Sequence, residues 1–185
     1  MPILEREANL YPADLLTSCL EQPDAKWWAL YTMSRQEKQL MRKLAVQKIS
    51  YYCPIIEKKT RSPAGRQRTS FVPLFSNYVF LYGNEEARQV ALTTNTISRC
   101  LEVENGESLR YDLHQLEMLL ALGEPVSIES QLQPGTKVRV KSGPLKGASG
   151  TVYQRKGVDR LIISVNFLQQ GASVELSDWE VEVCN

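Results

Sequence analysis

Two short strand patterns joined by a glycine-containing loop, at residues 138–152, constrain the fold more than any other stretch of the chain. The segment reads VRVKSGPLKGASGTV, and its alternating apolar residues predict a strand on each side of a Gly-Pro loop. A lone hairpin is only marginally stable and needs further strands to bury its apolar face. Three more short alternating segments follow. Together with the hairpin they predict five strands within about 50 residues and therefore a small β-barrel.

The residues before this barrel alternate strand and helix patterns. An aromatic-rich strand begins at Trp27, and the capping-box sequence Ser34-Arg35-Gln36-Glu37 predicts a helix that runs to about Lys48. Leucines at helical spacing predict another helix over residues 111–122. The sequence therefore predicts an α+β chain. Its predicted parts are an extension at 1–25, an α/β domain at 26–122, a linker at 123–133 and the barrel at 134–185.

Composition excludes several classes of protein. The chain has 185 residues, 43% of them hydrophobic, and no apolar run approaches the ~18 residues that span a bilayer. Its acidic start does not match a secretory signal, so we expect a cytoplasmic chain without a membrane partner. Four scattered cysteines and one histidine predict no metal site. We find no nucleophile or cofactor motif, and we expect neither an enzyme nor a bound cofactor.

The net charge of +1 hides a strong segregation of charge. Residues 27–105 carry twelve bases and six acids, whereas residues 1–25 carry one base and five acids. A basic face attracts phosphate backbones, although a solvated surface balanced by acidic flanks explains the same pattern. The acidity of the extension also suggests that it covers the basic face.

The basic residues fall into two groups, one on a predicted helix and one at a Pro- and Gly-containing turn. Basic residues at such places can neutralise phosphates without reading sequence, and a solvated surface is the alternative. The candidate nucleic-acid-binding residues are Arg35, Lys38, Arg42 and Lys43 on the helix, and Lys58, Lys59, Arg61, Arg66 and Arg68 at the turn.

Aromatic residues alternate along the predicted strand at 78–82. Side chains alternate across a strand, so Tyr78 and Phe80 share one face while Val79 and Leu81 share the other. If this strand neighbours the one that begins at Trp27, Tyr31 joins the same aromatic face. That face either docks an apolar or helical partner or forms a second core layer. A second open question concerns Leu145, whose loop either contacts a partner or tucks back onto the barrel.

Taken together, these segments resemble the NusG family of transcription elongation factors, and most closely its specialised RfaH-type paralogues. The resemblance runs from Lys26 to Val183. It is carried by WWALY at 27–31, PLFSNYVF at 73–80, PGTKVRV at 134–140 and GPLKGASGTV at 143–152. Ser76-Asn77 stands where the housekeeping members have Pro-Gly, which favours a paralogue.

The resemblance implies a fold and a main partner. It implies an N-terminal α/β sandwich with a mostly antiparallel four-stranded sheet, followed by a five-stranded SH3-like β-barrel called a KOW domain. The first domain of the family docks on the clamp helices of RNA polymerase, where it suppresses pausing or termination. The matching positions are Tyr31, Leu74, Phe75, Tyr78 and Phe80. We expect a monomer.

The resemblance also implies further partners. The helix bases would face upstream or non-template DNA, and the KOW domain would bind a small-subunit ribosomal protein or the termination factor Rho through Leu145, Phe167 and Leu168. Leu145 replaces a family phenylalanine, which implies a weaker or altered contact. Two alternatives stay open. One is a general NusG with a Rho-dependent termination role, and the other is an RNA-binding, ribosome-associated KOW protein.

Overall fold

A computed structural model describes residues 6–18, 24–61, 65, 67–129, 135–155, 158–176 and 181–184. The chain divides into two compact units, Met1–Gly106 and Glu107–Asn185. This division groups nearly all of the last helix with the second unit, whereas the sequence placed that helix in the first domain. The functional domain boundaries stay a prediction.

A five-stranded antiparallel sheet forms the centre of the first unit. Its strands are β1 (Leu10–Tyr11), β2 (Lys26–Thr32), β3 (Ser50–Tyr52), β6 (Tyr78–Gly83) and β7 (Ile97–Glu102). They lie in the order β1-β3-β6-β2-β7, and every neighbouring pair is antiparallel. Four of the strands match the predicted four-stranded sheet. The fifth, β1, comes from the N-terminal extension and pairs with the edge of β3.

Helices α1 (Glu37–Val46) and α2 (Glu85–Leu92) contribute to a core that includes one face of this sheet. Leu40, Met41 and Leu44 lie at helical spacing on α1 and are almost fully buried. The core also takes Trp28, Leu30, Val79 and Leu81 from the sheet. The aliphatic face of β6 therefore lies in the core, as its alternation predicts.

The predicted capping box at the start of α1 is wrong. Gln36 is the N-cap residue of α1 and makes no side-chain capping bond. Arg35 has a φ of 62°, so the chain is in a turn where the box required the helix to have begun. By contrast, α2 has an ordinary cap, in which the Asn84 side chain accepts a hydrogen bond from the Ala87 N–H at 3.0 Å.

A separate two-stranded hairpin carries the described basic residues of the predicted turn. It consists of β4 (Ile55–Arg61) and β5 (Gln67–Pro73), paired in register from Ile55 opposite Pro73 to Arg61 opposite Gln67. The described residues from Glu57 to Ser70 are exposed. A hairpin that buries so little is held mainly by its own ladder of hydrogen bonds.

The second unit combines helix α3 with a six-stranded antiparallel sheet. Its elements are α3 (Gly106–Ala121), β8 (Ser127–Glu129), β9 (Thr136–Val140), β10 (Ser149–Arg155), β11 (Val158–Val165), a 3₁₀ helix (Asn166–Leu168), β12 (Gln170–Glu175) and β13 (Val181–Val183). The strand order is β13-β9-β10-β11-β12-β8.

The five strands predicted after residue 134 all form, and β8 adds a sixth from the predicted linker. Within the described residues β13 and β8 are the edges of the sheet and do not pair with each other. The mixture of helices and antiparallel sheets agrees with the predicted α+β class, whereas the closed SH3-like barrel stays a prediction. In the described part of the chain, no helix has the length and apolarity to cross a membrane.

Candidate functional site

The structure brings the predicted aromatic residues together on one face of the first sheet. In the β2–β6 register Tyr31 lies opposite Tyr78, and Ala29 lies opposite Phe80. The rings of Tyr31 and Tyr78 meet edge to face, with centroids 5.2 Å apart and planes at 73°. This is a favourable aromatic geometry, and it holds both rings in place.

These aromatic residues differ in how much surface they offer. Tyr31 and Tyr78 are half-buried, while Phe80 is fully buried. Further along the same face, Trp27 contacts Tyr82 with ring centroids 5.3 Å apart and is only 3% exposed. The inner residues of this face are therefore part of the core, while the Tyr31–Tyr78 pair remains partly open to solvent, and its docking role stays a prediction.

A turn at residues 74–77 positions Tyr78. Its first two residues, Leu74 and Phe75, are buried, and the Leu74 N–H donates to the Pro54 carbonyl at 2.8 Å. Asn77 has a φ of 67°, a left-handed conformation that asparagine tolerates better than most residues. Asn77 can therefore adopt the backbone conformation that this turn requires without a glycine.

Glu37 on α1 anchors this turn, a role that the sequence did not reveal. Its Oε1 accepts a hydrogen bond from the Asn77 N–H at 2.8 Å, and the Thr32 N–H donates to the Asn77 carbonyl at 2.8 Å. Glu37 is itself buried. The only signal in the sequence was a glutamate on the apolar side of a helix, which the capping-box interpretation had assigned to another role.

The four predicted bases of α1 are in different environments. Lys38 and Arg42 both contact the carboxylate of Glu7, with a Lys38 Nζ to Glu7 Oε2 distance of 3.0 Å. Lys43 donates to the Thr94 carbonyl at 2.7 Å. Arg35 is exposed in the turn before the helix. Three of the four bases are therefore already engaged within the first unit.

Glu7 is ionised in this arrangement. Burial acts to raise the pKa of its carboxyl, but the hydrogen bonds and charges of Lys38 and Arg42 outweigh burial and lower that pKa below its ordinary value. At neutral pH the group therefore carries a full negative charge between two positive ones.

On the β4–β5 hairpin, the bases divide between two faces. The register places Lys58 opposite Ser70 and Thr60 opposite Arg68, so Lys58 and Arg68 share a face. Lys59 and Arg61 alternate to the other face. There, Lys59 Nζ lies 3.3 Å from Glu57 Oε1, and the Arg61 Nε donates to the Gly65 carbonyl. Arg66 lies outside the described residues.

The three predicted KOW contact residues also differ in exposure. Leu145 is fully buried, so in this conformation its loop tucks inward. Gly147 closes the loop with a φ of 90°, and its N–H donates to the Val140 carbonyl at 2.9 Å. Phe167 is 39% exposed and Leu168 is partly buried, both within the 3₁₀ helix. The roles of these residues stay predictions.

Two side chains of α3 hold the loops that carry these residues. Asp112 accepts hydrogen bonds from Asn166, and the Gln115 Oε1 accepts one from the Ser149 N–H at 3.1 Å. Burial raises the pKa of Asp112, while the bonds from Asn166 act to lower it. The sequence did not indicate these contacts, because Asp112 and Gln115 look like polar residues of a surface helix.

The described residues give little support for metal binding or for a reactive cysteine. Nowhere among them do three or more His, Cys, Asp or Glu side chains lie close enough together to hold a metal ion. Burial raises the pKa of the Cys53 thiol, so this cysteine stays protonated and unreactive.

Comparisons with known proteins identify the family. The family model described as "Transcription termination factor nusG" matches residues 25–118, which is 94 of the 185 residues. A chain of the solved MjSpt4:Spt5 complex, conformation B, aligns with 85% of this chain and 97% of its own length, at 13% identity and a TM-score of 0.27. A score of this size does not define a shared fold. No curated protein matches the chain. Because the family model covers more than half of its length, the chain belongs to the NusG family.

Proposed function

We propose that this protein is a transcription elongation and antitermination factor that binds the clamp helices of RNA polymerase and suppresses pausing or termination. NusG-family factors bind RNA polymerase. The observation that supports this docking surface is the Tyr31–Tyr78 pair, whose rings are fixed edge to face and remain partly exposed. Tyrosine rings have apolar bodies and polar hydroxyl tips. They suit a helical partner whose contact surface is partly buried and partly solvated.

The neighbouring supports are consistent with a rigid docking surface. Phe80 is buried beside the pair, and Glu37 fixes the turn from which Tyr78 begins its strand. A surface that is ordered before binding loses less entropy when a partner docks. In this proposal Leu74 and Phe75 support the docking surface from the core and do not contact the partner directly, because both are buried.

The proposal includes a nucleic-acid contact beside the docking surface. The exposed basic residues of the β4–β5 hairpin, together with Arg35 and the basic residues of α1, would neutralise phosphates of upstream or non-template DNA while the factor bridges the cleft of the polymerase. No bond chemistry by the factor is required. The factor would act as a cytoplasmic monomer.

We further propose that the second unit completes an SH3-like KOW barrel and couples transcription to a small-subunit ribosomal protein. The exposed Phe167 offers the first contact, and Leu145 would have to be uncovered to join it. Leu145 in place of a phenylalanine, together with Ser76-Asn77, favours a specialised RfaH-type paralogue. A general NusG that binds Rho is the second candidate, and an RNA-binding, ribosome-associated protein is the third.

Co-purification with core RNA polymerase from the host tests the docking surface. We expect wild-type protein to be retained and Tyr78→Ala to be lost. Tyr111→Ala is the matched control, because Tyr111 is a half-exposed tyrosine on α3 outside the proposed surface. Tyr78→Phe keeps the ring and separates packing from the hydroxyl. Equal retention of Tyr78→Ala would place the contact elsewhere. No retention of any variant would favour the RNA-binding candidate, which predicts binding to structured RNA without polymerase.

A further inference from the structure

An N-terminal strap, residues 6–11, runs along the edge of the first sheet and carries Glu7 to helix α1. The strap is held by backbone pairing of β1 with β3. The Cys53 N–H donates to the Asn9 carbonyl at 2.7 Å, and the Ile55 N–H donates to the Asn9 Oδ1 at 3.1 Å. These bonds fix the position of the strap independently of the charge on Glu7.

The Glu7 side chain joins two bases that lie one helical turn apart. Its side chain is 15% exposed, with Lys38 Nζ 3.0 Å from Oε2 and Arg42 bonded to Oε1. Residues at i and i+4 are neighbours on a helix surface, where two like charges repel. Glu7 offsets this repulsion by placing one oxygen on each base.

The same arrangement of bases suits a phosphate group. A phosphodiester shares one negative charge between two non-bridging oxygens, and a lysine and an arginine on neighbouring positions can each contact one of them. The Arg42 side chain is 59% exposed, so solvent and a long polyanion reach this place. The carboxylate of Glu7 therefore lies where a backbone phosphate would bind.

We propose that Lys38 and Arg42 form a phosphate-binding pair for DNA that Glu7 occupies as an internal competitor. DNA gains this contact only by displacing the carboxylate, so the strap lowers the affinity for DNA away from the polymerase. The inference rests on the proposed nucleic-acid role of α1 and names how that site is regulated. Because the β1–β3 pairing does not involve the carboxylate, the strap can stay attached while Glu7 moves aside.

Glu7→Gln in the full chain tests the proposal, since glutamine keeps the shape and removes the charge. The probe is a short labelled DNA duplex of arbitrary sequence, titrated over a range of salt concentrations. We expect about 10-fold tighter binding at low salt and a plot of log K against log salt that is steeper by about one to two units. Glu102→Gln is the matched control, because it removes one acid that pairs with Lys26 and lies on β7, at the opposite edge of the sheet from β1.

A triple variant, Glu7→Gln with Lys38→Gln and Arg42→Gln, tests whether the gain in DNA affinity comes from Lys38 and Arg42. The proposal expects the triple variant to lose the whole gain. Equal affinities of Glu7→Gln and wild type, or equal gains in Glu7→Gln and Glu102→Gln, would overturn it. If Glu7→Gln has no effect but substitution of the hairpin bases weakens binding, the proposed nucleic-acid function survives without this regulation. If no variant differs from wild type, the nucleic-acid function fails as well. Circular dichroism of each variant confirms that the fold is retained.

Discussion

The carboxylate of Asp112 accepts two hydrogen bonds from Asn166, one from the backbone N–H at 2.9 Å and one from the side-chain Nδ2 at 3.0 Å. This contact attaches α3 to the start of the 3₁₀ helix that carries Phe167. Three residues further along α3, the Gln115 side chain accepts from the Ser149 N–H at the start of β10. Two buried polar side chains on one helix face thus hold two separate parts of the second unit.

Asp112→Ala should lower the free energy of unfolding by about 1–3 kcal/mol, because the N–H of Asn166 loses its partner in a partly buried place. Asp112→Asn keeps an acceptor oxygen and should cost less. Urea denaturation measures both, with Glu107→Ala on the exposed side of the same helix as a control that should stay within about 0.5 kcal/mol of wild type. Equal losses for Asp112→Ala and Asp112→Asn would contradict the hydrogen-bond account.

The pH dependence of stability provides a separate prediction for Asp112. Burial raises its pKa in the folded state, so folding favours the protonated acid. The contribution of Asp112 to the free energy of unfolding should therefore be largest at low pH and fall as pH rises through the folded-state pKa. The stability of Asp112→Asn relative to wild type should increase over the same range. Denaturation curves at several pH values test this, and a difference that does not change with pH would contradict it.

Arg160 is the centre of a buried polar network in the second sheet. Its guanidinium donates to the Ser173 hydroxyl, the Ser173 carbonyl and the Ser127 hydroxyl, and it lies 3.2 Å from Glu175. The Ser173 hydroxyl in turn donates to Glu129 at 2.6 Å. This network ties β8, β11 and β12 together.

Arg160→Met should lower the free energy of unfolding by about 2–3 kcal/mol, because it leaves several buried acceptors without a donor. Arg160→Lys should restore only part of this loss, since an ammonium group cannot copy the planar fork of donors. Thermal and urea denaturation measure the effect. Arg139→Met, at an exposed position on β9, is the matched control. A loss at Arg160 no larger than at Arg139 would mean that the network adds nothing to stability.

Asn77 provides a test of how the turn supports Tyr78. Its φ of 67° is disfavoured for residues with a Cβ, so Asn77→Ala should cost about 1–2 kcal/mol of unfolding free energy, while Asn77→Gly should cost little. Asn77→Ala should also reduce retention on RNA polymerase more than Asn77→Gly does, because the turn leads directly into Tyr78. Denaturation and co-purification with both variants measure these effects. Identical behaviour of alanine and glycine would contradict the role of the backbone conformation.

The sequence predicted the parts of the fold that repeat a local pattern. Alternation along β6 put Val79 and Leu81 on one face and Tyr78 and Phe80 on the other, and the structure has both faces. The period of a strand or helix is set by its own backbone, so a few neighbouring residues suffice to reveal it. The five strands after residue 134 were visible for the same reason.

The sequence could not predict the contacts that join distant single residues. Glu7 with Arg42, Glu37 with Asn77 and Asp112 with Asn166 are separated by 35, 40 and 54 positions. Such pairs carry no periodic signal, since each depends on packing that brings two elements together. The capping-box error has the same origin. Glu37 matched a local motif, while its actual partner was a remote backbone N–H.

The partners of the basic residues on the β4–β5 hairpin predict that its two faces contribute unequally to DNA binding. Lys58→Gln with Arg68→Gln should weaken binding to a short DNA duplex about 10-fold. The plot of log K against log salt should become shallower by about two units, because each basic side chain that neutralises a phosphate releases a counterion from the DNA. Lys59→Gln with Arg61→Gln removes the same charge from the other face. It should have a smaller effect, since Lys59 already pairs with Glu57 and Arg61 donates to the Gly65 carbonyl. Salt titrations of both double variants measure the difference. Equal losses would mean that the hairpin acts through its total charge, and no loss in either would remove it from the DNA contact.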